Sequence, residues 1–84
     1  MATAASDRAE LRTEKALLLK ADADIEDGWR RLRGQQDLLL DLQAGGHDTT
    51  EAERLLHLME ATLVEWERHR TLIEQRVAYL EKKL

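Results

Sequence analysis

The chain has 84 residues with no cysteine, no proline and no phenylalanine, and 36% of them are Asp, Glu, Lys or Arg. That length makes one small domain with a limited core, and the lack of cysteine excludes disulfides, thiol catalysis and cysteine-type zinc sites together. A formal net charge of -4 argues against general affinity for nucleic-acid phosphates, and no apolar run is long enough to span a membrane.

Abundant Ala, Leu, Glu and Arg without helix breakers predict an all-α protein. In chain order, Met1 to Ser6 is small and polar, reads as a frayed end, and lacks the basic and apolar parts of a secretion signal. The chain is therefore read as cytoplasmic. Asp7 followed by Glu10 marks a helix start, since both acids suit the positive end of a helix.

Helix 1 is expected over 7–44. Leu11, Leu18, Ile25, Leu32 and Leu39 recur every seventh residue, with smaller or more polar companions at Glu14, Ala21, Gly28, Gln35 and Leu42. Gly28 and Gly34 each weaken a helix by roughly 1 kcal/mol relative to alanine. Either is a candidate break, but the seven-residue phase continues across both, which favours one long helix, bent there if anywhere.

The turn is expected over 45–49. Gly45 or Gly46 can take the left-handed conformation that closes a helix. Asp48 with Glu51 and Thr50 with Glu53 are alternative start signals for the next helix, the second matching a capping box.

Helix 2 is expected over 50–84. Leu56, Met59, Leu63, Trp66, Arg70, Ile73, Val77, Leu80 and Leu84 alternate at steps of three and four, with Ala52 one step earlier. A mean period of about 3.5 residues is the mark of a coiled-coil seam. Folding the chain about His47 and Asp48 sets seam against seam: Leu39 on Leu56, Leu32 on Leu63, Ile25 on Arg70, Leu18 on Val77 and Leu11 on Leu84. Neighbouring layers set Gly28 against Trp66 and Ala21 against Ile73, small against large. On the flanks, Glu10 falls near Lys83, Lys15 near Glu81 and Asp24 near His69, while Asp22 near Glu74 is an unfavourable exception.

The expected architecture is an antiparallel two-helix hairpin. Leu17, Leu38, Leu55, Leu58, Leu72 and Tyr79 remain after the seam is used and form a candidate second apolar face. The simplest partner for that face is another copy, giving a homodimeric four-helix bundle. A competing geometry pairs two copies of helix 2 in parallel through His69–Glu74 and Arg76–Glu81 contacts.

Arg70 interrupts the seam and is read as a register device, or as a side chain reaching Asp22 or Asp24. Trp29 and Trp66 are read as core or interface anchors rather than stacking platforms for bases. Arg30, Arg31 and Arg33 form a basic patch balanced by Asp24, Glu26 and Asp27. His57 with Glu53 and Glu60, and His69 with Glu65, allow carboxylate-imidazole metal sites in principle. However, helix 1 has no histidine and these groups flank the seam rather than point inward, so no metal ligand is assigned. Phosphate loops, nucleophile elbows and Ser/His/Asp constellations are missing, so neither a catalytic residue nor a cofactor is expected.

Gly46-His47-Asp48-Thr49, then Ala52-Glu53-x-Leu55-Leu56, and His69-Arg70 further on resemble a group of small bacterial helical proteins of unknown function. The resemblance covers about half of the chain. It implies a short cytoplasmic helical protein and carries no activity with it. Two functions follow: a homodimeric interaction or regulatory module, or an adaptor or inhibitor hairpin that docks its apolar face on a different protein. A carboxylate/His metal-binding bundle is a distant third.

Overall fold

A computed structural model describes residues 2–84, and it consists of two helices, α1 (Ala2–Ala44) and α2 (Thr50–Lys83), folded back on each other. α1 runs unbroken through Gly28 and Gly34 and begins at Ala2, ahead of the expected start at Asp7. Ala2, Ala4 and Ala5 are strong helix formers, so the helix needs no acidic cap to extend there. Met1, part of the stretch read as frayed, lies outside the described residues. Asp7 is spent elsewhere: its carboxylate meets Lys83 at 3.1 Å, a contact that raises the pKa of the Lys83 amine. α2 ends one residue early, with the Leu84 amide donating to the Glu81 carbonyl.

The turn is built by two short-range devices. His47 N–H donates to the Leu42 carbonyl at 2.9 Å and Gly46 N–H to Gln43 at 3.1 Å. These paired bonds are those of a Schellman closure, and Gly46 carries the left-handed φ of +71° that it requires. Next, Asp48 Oδ1 accepts from the Thr50 amide at 3.0 Å and the Thr50 hydroxyl at 2.8 Å. Those bonds, the amide first, hold the Asp48 carboxyl below its ordinary pKa. Asp48 therefore holds the first amide of α2 from just outside the helix, Thr49 at the N-cap makes no side-chain cap bond, and the Thr50–Glu53 capping box is not the device used. Glu53 instead accepts from the Thr49 hydroxyl at 3.1 Å.

The seam supplies the core. Leu32, Ala52, Leu63, Ile73, Val77 and Leu80 are buried, Leu80 most completely at 1% exposure. Gly28 makes a close approach: a Cβ placed there would lie 2.7 Å from Leu63 Cδ2 and 3.3 Å from Trp66 Cζ3. Gly34 has nothing within 4 Å of its Cβ position. Of the seam's polar members on α1, Gln35 is buried and donates to the Ala52 carbonyl at 3.1 Å. The outermost layer stays open, since Leu84 is exposed.

Arg70 resolves the clash expected between Asp22 and Glu74. Its guanidinium donates to both carboxylates, Nε to Asp22 on α1 and Nη1 to Glu74 one turn along α2. Lys15 meets Glu81 at 3.6 Å as the folding register requires. Arg76, rather than Lys83, reaches Glu10, at 3.3 Å, and Asp24 pairs with Lys20 rather than His69. Long side chains shift such exposed pairs by a turn at little energetic cost.

Candidate interaction surface

A hairpin of two helices is a single layer, and its proportions show what that leaves uncovered. The molecule measures 67 × 15 × 14 Å with a radius of gyration of 19.0 Å, against about 12 Å for a compact domain of this length. Its accessible surface is 6288 Å², about 1,200 Å² more than a compact monomer of this mass exposes.

Part of that surplus is apolar and collected on one flank. In the seven-residue repeat, Leu17 and Leu38 occupy the flanking position of α1 that adjoins the seam, and Leu55 the matching one of α2. Leu58, Leu72 and Tyr79 stand one position further out on the same side. All six are exposed, between 44% and 59%. Tyr79 lies beneath two cations, with Lys83 Nζ 5.5 Å and Arg76 Cζ 6.0 Å from the ring centroid.

The flank is grooved rather than flat. Trp66 is the shared wall of two depressions along the helix-helix junction. The one toward the turn, about 280 Å³, takes in Gly28, Arg31, Leu55, Leu58 and Thr62. The one toward the open end, about 310 Å³, takes in Leu17, Ala21, Asp24, His69 and Ile73. Gly28 creates the first groove's floor, because a side chain there would occupy it.

Trp66 and Trp29 are therefore not core residues, at 40% and 41% exposure. Trp66 stands at the centre of the grooved flank. Trp29 lies on the opposite side of the seam, where its indole N–H donates to Glu67 at 3.2 Å. Trp66 holds a seam position in the seven-residue repeat, but an indole beside a glycine projects past the seam. Leu19, Leu40 and Val64 are exposed too, on the opposite flank, where Val64 lines a depression of about 310 Å³ with Trp29, Leu32 and Glu67.

The parallel pairing of two α2 helices loses its components inside the hairpin. The α2 seam faces α1, Glu74 is held by Arg70, Glu81 by Lys15, and Arg76 reaches Glu10. Among the described residues, no three His, Asp or Glu side chains converge in a way that would hold a metal ion. Among the same residues, no helix is long and apolar enough to cross a membrane. Compared with protein-family models, curated proteins and solved structures, the chain finds no match.

Proposed function

We propose that this protein is a non-enzymatic interaction or regulatory module that works as a homodimer, two hairpins joined through their grooved flanks into a four-helix bundle. The observation that carries the reading is the collection of Leu17, Leu38, Leu55, Leu58, Leu72 and Tyr79, all exposed, on one flank of a molecule only 15 Å thick. A stable protein interface removes about 800 Å² from each partner, within the surplus of about 1,200 Å² that the hairpin carries over a compact monomer. Covering that flank gives a second layer, the arrangement in which helical domains ordinarily bury their apolar stripes.

The test replaces Leu58 and Leu72 together with Glu. Both point away from the seam, so the hairpin keeps its helicity while the flank becomes charged. The expected result is a fall in molar mass from twice 9.7 kDa to 9.7 kDa with the helical circular dichroism largely retained. A variant that stays dimeric refutes this contact face. Wild-type protein that is monomeric throughout would assign the flank to a different protein instead, the adaptor reading.

A further inference from the structure

The grooved flank has an internal symmetry that specifies how a second copy would sit on it. Leu17 and Leu38 lie equally far on either side of the step between Asp27 and Gly28 on α1, and so do Asp24 and Arg31. On α2, Leu58 and Leu72 lie equally far on either side of Glu65. These two midpoints stand at one level of the hairpin, because Gly28 packs against Leu63 and Trp66. The two grooves are of similar size, about 280 and 310 Å³, and meet at Trp66; the turnward one carries Arg31, 3.0 Å from Asp27, and the other carries Asp24 with Lys20 2.9 Å away.

A patch with this arrangement is complementary to itself after a half-turn, which is the requirement of a two-fold interface. Resting on the homodimer reading above, we propose that the second copy docks with its turn at the opposite end, about a two-fold axis that crosses the Gly28–Trp66 layer. Each hairpin then sets Leu17 against Leu38 of the other copy, Leu58 against Leu72, and Asp24 against Arg31. Trp66 approaches its own counterpart at the axis.

The alternative, with both turns at one end, lays α1 of each copy along α2 of the other. Level matching then sets Leu17 opposite Arg76 and Arg31 opposite Thr62, while Leu38 meets Leu55 and Asp24 meets His69, so one of the two α1 leucines and the Arg31 cation lose their complements. The opposed arrangement has its own cost. Glu65 meets its own copy, each with Arg68 at 3.2 Å beside it, and Leu55 falls opposite Gln75. Two leucine pairs, against one in the alternative, together with the Asp24–Arg31 contact outweigh these two rim contacts.

The chain has no cysteine, so Glu51→Cys introduces a single site for a nitroxide label near the turn. Double electron-electron resonance on the labelled protein is expected to give an inter-label distance of about 45 Å, from the rise of 1.5 Å per residue to the axis and back. A distance below about 25 Å means adjacent turns and overturns the orientation while leaving the dimer standing. A sample without dipolar coupling overturns the dimer reading as well. A charge-reversal cycle tests the register independently. Asp24→Arg and Arg31→Asp should each weaken dimerisation by roughly fivefold, and the chain carrying both should regain wild-type affinity. Additive weakening in that double variant overturns the pairing.

Discussion

The two apolar faces of α2 are built from the same kinds of residue and meet opposite fates. Leu63, Ile73, Val77 and Leu80 are buried against α1, whereas Leu55, Leu58, Leu72 and Tyr79, on neighbouring stripes of the same helix, stay exposed. Hydrophobicity alone does not distinguish them. What differs is whether the chain supplies a partner at the right level. α1 offers Leu32 and the cleft at Gly28 to the first face, and only the rim of an open groove, Gly28 and Arg31, to the second. The first face therefore makes the hairpin, and the second is available for association.

The largest effect that separates the faces should come from Leu63→Ala. Leu63 is 3% exposed and packs on Gly28, so removing its side chain should cost about 3 kcal/mol, read by urea denaturation. Leu72→Ala, the same chemical change on the outer face, should leave a dilute monomer nearly unaffected and cost stability only where the dimer forms, so its effect should grow with protein concentration. Equal losses in the two variants at every concentration would erase the distinction between the faces.

The glycines sharpen the comparison at smaller scale. Gly34→Ala meets open space and should stabilise the hairpin by roughly 0.5–1 kcal/mol through helix propensity. Gly28→Ala gains the same propensity but drives a methyl into Leu63, so its thermal midpoint should lie below that of Gly34→Ala. It should also weaken dimerisation, because the methyl fills the floor of the turnward groove. A Gly28→Ala variant as stable and as dimeric as Gly34→Ala would deny the close approach any role.

The smallest effect concerns the turn, remote from both faces. The Asp48 carboxyl has its pKa lowered in the folded chain by the Thr50 amide and hydroxyl. Its contribution is therefore complete above the ordinary carboxylate range and is lost as pH falls through the lowered value. Asp48→Ala should melt at a lower temperature than wild type at neutral pH, and the difference should close on acidification. A gap that widens in acid would contradict the cap.

Much of the hairpin was legible in the sequence, for identifiable reasons. A seven-residue repeat fixes which stripe is apolar, and the glycine pair at 45–46 fixes where the chain reverses. Together they place Leu32 near Leu63 and Gly28 near Trp66. The parts that were not legible depend on side-chain reach. Arg70 bridging Asp22 and Glu74, Gln35 bonding the Ala52 carbonyl, and Arg76 rather than Lys83 on Glu10 are choices among several partners within a turn. The start of α1 at Ala2 rests on alanine propensity, which leaves no mark in the sequence as conspicuous as the acidic start signal at Asp7. The apolar flank could be listed from the repeat, but its grooves could not. They arise from the size difference between Gly28 and Trp66, which shows only once the two residues are side by side.

The molar mass of the wild-type protein, measured by light scattering across a wide dilution series, tests the homodimer most directly. The expected species is twice 9.7 kDa and persists well into dilution, because a second copy covers the grooved flank. A mass of 9.7 kDa at every concentration would contradict the homodimer and leave that flank to a different protein.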